Sequence, residues 1–329
     1  MNRKKIIVIG ATGETGTYLV DELVANNEYE VIACGYNNVK PDYYKKRGIQ
    51  FARLDITKSS DFLDIPSDNV DTVVLLSGYM PARMKGYHPQ KYLDVHTTGT
   101  LNTLEYCRRN NIKNLIFAQS HSDVAGYWNT GRFIKDDDYF PIRIGDHAVY
   151  IISKNAAVDL IKHYQLEFGI RGVIFRLPTI YCYGPYNDMY VNGKLSYVPY
   201  RKVIQKALNG ESIEIWGDPK VAKDIVYVKD FIQMIINAIK THEATGMFNV
   251  GTGIATTLEE QILGIVDVFS PKSKRSKISY QPEKKSQVSY LYDVSKAKNI
   301  LKYQVNYPYL KMLEDIKIEM GSSRFNHLM

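Results

Sequence analysis

The chain has 329 residues, of which 45% are hydrophobic, and a formal net charge of +7. This length is enough for one large or two modest domains with a buried core. Four apolar residues between the basic start and Gly10 are too few for a signal peptide, and no apolar run approaches the roughly 18 residues of a membrane span. We therefore expect a cytoplasmic protein that does not bind membranes.

The three cysteines and the scattered lysines exclude further classes of protein. An odd number of cysteines without a CxxC pair is typical of a reducing compartment and argues against disulfides or a structural metal site. Apart from residues 272–277 and 284–285, the lysines are dispersed, so we do not expect nucleic-acid binding. The positive charge also suits an anionic small substrate.

Apolar, β-branched runs alternate with amphipathic stretches through the first half of the chain. The predicted strands are residues 6–9, 31–33, 72–76, 115–117 and 173–175. The predicted helices are residues 17–25, 92–109 and 148–168. Strands that are apolar on both faces and alternate with helices predict an α/β fold, with a doubly wound parallel sheet between two layers of helices.

Three glycines, Gly10, Gly13 and Gly16, follow the first predicted strand and precede an amphipathic helix. Gly10 permits a tight turn, Gly13 lets the backbone approach a pyrophosphate, and Gly16 allows close packing of helix on strand. The helix N-terminus adds amide donors and the positive end of a dipole. This loop predicts binding of NAD(H) or NADP(H).

The end of the second strand bears on the choice between the two dinucleotides. NAD-binding folds usually place a carboxylate there to bind the ribose hydroxyls, but this strand ends in Gly35, Tyr36 and Asn37. Four cations follow within reach of a 2′-phosphate: Lys40, Lys45, Lys46 and Arg47. The pattern slightly favours NADP over NAD, although the same cations also suit a solvated helix face.

Tyr150 and Lys154 lie one turn apart on one face of a predicted helix. Together with the glycine loop, this pair resembles the extended short-chain dehydrogenase/reductase family, and within it the nucleotide-sugar epimerases, dehydratases and 4-ketoreductases. Other segments similar to family signatures are LDI at 54–56, LLSG at 75–78, GTLN at 99–102, RLP at 176–178, YGP at 183–185, WGD at 216–218, DIVYVKD at 224–230 and FNVGTG at 248–253.

The resemblance implies a Rossmann-type domain followed by a smaller α/β substrate-binding cap. After Pro178 the strand and helix rhythm loosens, whereas residues 225–238 and 247–250 read as elements that return to the first domain. We expect the Rossmann domain in residues 1–177, joined by 224–250, and the cap in residues 178–223 and 251–329.

The resemblance also implies hydride transfer between a sugar carbon and the nicotinamide, with Tyr150 as the base. Lys154 would favour the phenolate and hold the nicotinamide ribose. The third catalytic residue is a Ser or Thr at the end of the fifth strand. Counting from the strand gives Ser120, which we expect, with Ser122 behind it, whereas counting back from residues 124–126 gives His121.

The same resemblance assigns the remaining site residues. The dinucleotide site comprises Gly10, Thr12, Gly13, Glu14, Thr15, Gly16, Tyr36, Asn37, Asp55, Ile56, Leu76, Ser77, Gly78, His96, Tyr150, Lys154 and Pro178. The substrate site comprises His121, Ser122, Thr179, Tyr181, Tyr183, Asn192, Val198, Trp216 and Lys223.

Four positions depart from the family pattern. His96 replaces a usual Asn, and Lys223 replaces a frequent Arg. Ser122 and Asp123 stand where the dehydratases carry an acidic pair, which disfavours water elimination.

These features predict an NAD(P)-dependent enzyme that acts at C4 of a nucleotide-linked hexose as an epimerase or oxidoreductase. An NADPH-dependent reductase of 4-keto-6-deoxyhexoses is the alternative, and a non-catalytic dinucleotide sensor is a weaker one. Family members often pair through the helices predicted at 92–109 and 148–168, so we expect a homodimer.

Overall fold

A computed structural model describes residues 3–36, 39–40, 42–145 and 147–328. Its strands are β1 (Lys4–Ile9), β2 (Tyr29–Gly35), β3 (Gln50–Arg53), β4 (Val70–Leu75), β5 (Asn114–Ser120), β6 (Phe133–Ile134), β7 (Arg171–Leu177), β8 (Ile180–Tyr181), β9 (Asp188–Val191), β10 (Lys194–Tyr197), β11 (Ile213–Trp216), β12 (Ala222–Asp224), β13 (Val226–Tyr227), β14 (Gly246–Asn249), β15 (Ala255–Thr257), β16 (Ile278–Gln281) and β17 (Leu291–Tyr292). Its α-helices are α1 (Glu14–Ala25), α2 (Tyr43–Lys46), α3 (Pro89–Tyr92), α4 (Gly99–Arg109), α5 (His147–Phe168), α6 (Pro199–Leu208), α7 (Val228–Lys240), α8 (Leu258–Phe269), α9 (Ser295–Ile300) and α10 (Tyr309–Glu319).

Seven of these strands form one sheet in the order β14, β7, β5, β4, β1, β2 and β3, and every neighbouring pair is parallel. The order reverses between β1 and β4, as in a doubly wound Rossmann-type fold. The predicted α/β class and parallel sheet are therefore confirmed.

The sheet is buried on both faces because alternate residues of its central strand point to opposite layers. Ile6 and Val8 of β1 pack in the core that contains Leu19 of α1 and Phe231 of α7. Ile7 and Ile9 pack in a second core, which also contains residues of α4 and α5. This placement explains why the strand reads as an unbroken apolar run.

All five predicted strands lie in the sheet, but β3 was not predicted from the sequence. It lies at the sheet edge, and its four residues are exposed or half-buried, so they lack an apolar run. The helix predicted at 17–25 begins earlier, at Glu14, because the polar residues after Gly13 form its first turn. The helix predicted at 92–109 is interrupted by a π-helical turn at Leu93–Thr98.

Later segments complete the sheet. β14 pairs with β7, and Phe231 of α7 packs edge-on against Phe175 of β7, with ring centroids 5.5 Å apart. The segments assigned to the cap contain α6, α8 and α10 together with short two-stranded pairs. Among the described residues, no helix is both long and apolar enough to cross a membrane.

The parallel arrangement brings several predicted site segments to one edge. β1, β2, β4 and β5 end next to the glycine loop, Tyr36, Leu76 and His121, respectively. Ligands of open α/β sheets bind outside this carboxyl edge.

Candidate dinucleotide and catalytic site

The glycine loop is a tight turn on which α1 rests directly. Gly10 has a φ of +96°, and a side chain there would come within 2.8 Å of the Ser77 nitrogen. A side chain on Gly16 would overlap the Gly10 carbonyl oxygen. Because Gly13 precedes α1 and has no side chain to cap it, the first-turn N–H groups are available to an anion such as a pyrophosphate.

The ribose end of this crevice has no room for an acidic residue at position 35. A Cβ atom on Gly35 would lie 2.5 Å from Cγ2 of the buried Thr12. Gly35 is in register with Arg53 of β3, whose guanidinium lies over the Tyr36 ring, 5.6 Å from its centroid. Asn37 lies outside the described residues.

Two of the cations predicted at the 2′-phosphate have other partners. Arg47 donates to the Asp21 carboxylate and to the Tyr43 hydroxyl, both at 2.6 Å, so its side chain is held against α1. The Lys46 ammonium forms a 3.9 Å ion pair with Asp42. Arg53 was missed because its proximity to β2 depends on the unpredicted strand β3.

The other predicted dinucleotide residues line the same edge. Asp55 accepts hydrogen bonds from the backbone and hydroxyl of Thr57, and the buried Ile56 follows it. Leu76 and Ser77 are half-buried after β4, whereas Gly78 is exposed. Pro178 is buried directly after β7.

Tyr150 and Lys154 are both buried on α5. The Lys154 ammonium donates to the Ala118 carbonyl at 2.7 Å. Burial lowers the pKa of Lys154 to about 7. Burial also raises the pKa of Tyr150, and a side-chain hydrogen bond with Ser120 opposes that rise.

The structure brings Ser120 rather than His121 to Tyr150. The Ser120 hydroxyl also accepts the Ser122 N–H and contacts the Ser122 hydroxyl, each at 3.3 Å. The His121 ring points the other way, where its Nδ1 lies 2.8 Å from the Tyr292 hydroxyl. Of the two residues counted as the third catalytic position, Ser120 lies near Tyr150, whereas His121 lies against Tyr292.

Comparison with known proteins identifies the family. Residues 6–251 match the NAD dependent epimerase/dehydratase family. The chain belongs to this family. It is therefore an enzyme of the extended short-chain dehydrogenase/reductase type, as its motifs predicted.

Individual relatives match nearly the whole chain. A putative UDP-glucose 4-epimerase of Methanocaldococcus jannaschii is 27% identical over 303 residues, covering 90% of this chain and 92% of that protein. The UDP-N-acetylglucosamine 4-epimerase of Bacillus cereus has a TM-score of 0.76 at 23% identity and 96% coverage of both chains. The UDP-glucose 4-epimerase of Thermotoga maritima, solved with UDP-glucose, also has a TM-score of 0.76 at 23% identity, covering 97% of this chain and all of that one. The two structures share the Rossmann-type fold.

Asp123, at the acidic position of the family's dehydratases, faces the protein interior. Its carboxylate accepts a 2.9 Å hydrogen bond from Nε of Arg176, and both side chains are 2% exposed. Burial raises the pKa of Asp123 to about 6, although the Arg176 charge opposes the rise. This acid therefore belongs to a buried ion pair that supports the end of β7.

His96, the departure from the family's Asn, joins two parts of the site. Its Nε2 accepts the Tyr79 N–H at 3.0 Å, and its Nδ1 lies 2.8 Å from the Ser153 hydroxyl, which donates to the Tyr150 carbonyl. Because Nε2 accepts a backbone proton, the neutral ring carries its own proton on Nδ1. Burial and the Lys154 charge lower the pKa of His96, which agrees with a neutral imidazole. His96 therefore ties the loop after β4 to the turn of α5 that carries Tyr150.

Around the predicted substrate site, the Lys223 ammonium lies 5.8 Å from the centroid of the buried Tyr181 ring. The exposed Thr179 lies near the side chain of the buried Tyr290. The half-buried Val198 precedes α6. These residues come from separate strands and loops of the cap.

Three further residues were assigned to the substrate site, and their exposure and contacts differ from those of this group. Trp216 is 50% exposed at the end of β11, and the Lys284 ammonium lies 4.5 Å from its ring centroid. The Tyr183 carbonyl accepts the Tyr18 hydroxyl at 3.2 Å. Asn192 has a φ of +50° in the turn between β9 and β10.

The buried Lys154 predicts a specific pH dependence of stability. Its pKa of about 7 lies below the 10.5 of an ordinary lysine, so between these values the unfolded chain binds the extra proton and stability rises with pH. In dinucleotide-free protein, we expect the free energy of unfolding to rise by about 2 kcal/mol from about pH 7 to about pH 9 on this account. Urea denaturation measures it. Lys154→Met should lose the rise and the exposed control Lys240→Met should keep it; an unchanged slope in Lys154→Met would contradict the assignment.

Proposed function

We propose that the protein is an NAD(P)-dependent nucleotide-sugar epimerase that acts at C4 of a nucleotide-linked hexose. The observation that carries this proposal is that Tyr150 and Ser120 lie beside each other at the same sheet edge as the glycine loop and Lys154. An acid–base group and a hydroxyl beside a dinucleotide site suit oxidation of a secondary alcohol.

The proposed chemistry divides between the nicotinamide and the protein. A bound nicotinamide would accept a hydride from the sugar carbon and return it. Ser120 would hold the sugar oxygen by a hydrogen bond, while Tyr150 would take the hydroxyl proton and later give it back. Since burial opposes the phenolate, the nearby positive charges of Lys154 and the nicotinamide are needed to favour it.

The substrate proposal rests on the cap. The exposed ring of Trp216 offers a stacking surface for a nucleobase, and the Lys223 ammonium offers a point charge for a diphosphate. Two of the similar proteins are named as UDP-glucose 4-epimerases, so UDP-hexoses are the first candidates.

The decisive experiment is incubation of the purified protein with UDP-, dTDP-, CDP- and GDP-hexoses, followed by chromatography of the products. We expect C4 isomers to interconvert without net consumption of NAD(P)H. Tyr150→Phe should reduce turnover at least about a hundredfold because the proton acceptor is lost. Tyr303→Phe, which removes another buried hydroxyl, should leave turnover unchanged. Undiminished turnover in Tyr150→Phe would refute the catalytic assignment.

A 4-ketoreductase that exchanges NADPH with solution is the second candidate, and the absence of an acid at Gly35 favours it. In the same assay with 4-keto-6-deoxyhexoses, stoichiometric consumption of NADPH would identify the reductase. Isomerisation without consumption would exclude it as the sole activity.

We further propose that the ribose pocket accepts a 2′-phosphate through Arg53, so that NADPH binds more tightly than NADH. Arg53→Ala should weaken NADPH binding about tenfold and leave NADH binding nearly unchanged, because only NADPH offers the phosphate. Fluorescence titration of both dinucleotides measures this. Arg275→Ala, which removes an exposed arginine elsewhere, is the matched control. Equal loss for both dinucleotides, or tighter NADH binding by the wild type, would contradict the proposal.

We propose a homodimer that pairs through α4 and α5. Leu101 of α4 and Ile152 of α5 are 37% and 52% exposed, which leaves apolar side chains for a partner. Light scattering should give twice the 37.7 kDa of one chain, and Ile152→Glu should shift the protein towards monomer. A monomer mass for the wild type at micromolar concentration would exclude this pairing.

A further inference from the structure

A charged side chain of the glycine loop reaches into the cap. Glu14 is the first residue of α1, and its carboxylate lies 3.0 Å from Nη2 of Arg201 on α6. The Arg83 guanidinium lies 3.9 Å from the other carboxylate oxygen. Arg201 is 9% exposed, whereas Arg83 remains one-third exposed. Glu14 therefore carries a negative charge at a helix N-terminus that would otherwise attract anions, and two arginines offset it.

Arg201 is held in place by the backbone that leads from β8 into the cap. Its guanidinium donates to the carbonyl of Cys182 at 3.2 Å, to that of Gly184 at 3.1 Å and to that of Tyr186. Gly184 lies against Glu14 so closely that a side chain there would overlap the carboxylate. The carboxylate is therefore fixed against the cap segment and directed at Arg201.

The position of Glu14 matters because a dinucleotide brings two negative phosphates to the same helix end. A carboxylate on the first helical residue benefits from the helix dipole and competes with the pyrophosphate for it. Unneutralised, such a charge within about 7 Å of a diphosphate would weaken binding by roughly ten- to fiftyfold at moderate salt.

We propose that Arg201 is a positioning residue for dinucleotide binding. It neutralises the Glu14 carboxylate and holds it against the cap, so that the first-turn amides of α1 stay available to the pyrophosphate. The position of the cap segment 182–186 therefore affects the affinity for the dinucleotide. The inference rests on the dinucleotide part of the proposed function and is independent of the sugar chemistry.

A double-mutant cycle on the full-length protein tests the proposal, with NADH and NADPH titrated by fluorescence in the absence of sugar. Arg201→Gln should weaken dinucleotide binding at least about tenfold, because Glu14 then keeps only the longer, more exposed ion pair with Arg83. Glu14→Gln removes the carboxylate that Arg201 offsets, so it should bind the dinucleotide more tightly than Arg201→Gln does. The double variant should recover the affinity of Glu14→Gln, and raising the salt concentration should shrink the Arg201→Gln defect.

Two controls separate electrostatics from loss of structure. Arg201→Lys keeps the charge and should keep most of the affinity. Arg171→Gln removes another half-buried arginine that donates to carbonyls, at Thr241 and Ala244, and should lower the melting temperature without changing the affinity. The proposal is overturned if Arg201→Gln binds like the wild type, or if the double variant stays as weak as Arg201→Gln. Failure of the epimerase assay would leave these affinities unaffected, so the two proposals fail separately.

Discussion

The contact between Gly16 and the Gly10 carbonyl underlies the rest of the site. Because no side chain separates them, the first turn of α1 rests directly on the turn that follows β1. Its unpaired amides are thereby held at the carboxyl edge of the sheet. The parallel neighbours β4 and β5 place Ser77 and Ser120 at the same edge, so the segments proposed to bind the dinucleotide and those proposed for catalysis lie together.

Burial is the second constraint on this crevice. It opposes the charge of Lys154 and the ionisation of Tyr150, so the dinucleotide-free enzyme keeps its acid–base pair close to neutral. The hydrogen bonds of His96 fix a third neutral group beside them. A positively charged nicotinamide ring beside Tyr150 would oppose the effect of burial and favour the phenolate.

The sequence predicted those features that depend on neighbouring residues in the chain. The apolar run of β1, the glycine spacing and the one-turn separation of Tyr150 and Lys154 are all local patterns. The features that were not predicted depend on distant contacts. Strand β3 lies at the sheet edge and lacks an apolar face, and the position of Arg53 next to β2 depends on this strand. The buried ion pair of Asp123 with Arg176 was also not predicted, because the two residues lie 53 positions apart in the chain.

The contacts of some predicted site residues also depend on distant parts of the chain, so the sequence did not predict them. Glu14 stood in the dinucleotide loop by motif, yet its partner Arg201 lies 187 residues further along the chain. Asn192 was assigned to the substrate site from its resemblance to the family, and its left-handed backbone in the turn between β9 and β10 was not apparent from the sequence. Periodicity and spacing carry no information on these pairings.

The contact between Gly35 and Thr12 has a consequence for how this lineage could change its dinucleotide. An aspartate at position 35, the simplest route to a ribose-binding acid, would collide with Thr12 unless that side chain became smaller first. A smaller residue at position 12 alone would leave a void, and an aspartate at position 35 alone would overlap Thr12, so neither substitution offers an advantage by itself. Positions 12 and 35 therefore constrain each other, because an acid at position 35 would require a smaller side chain at position 12 as well.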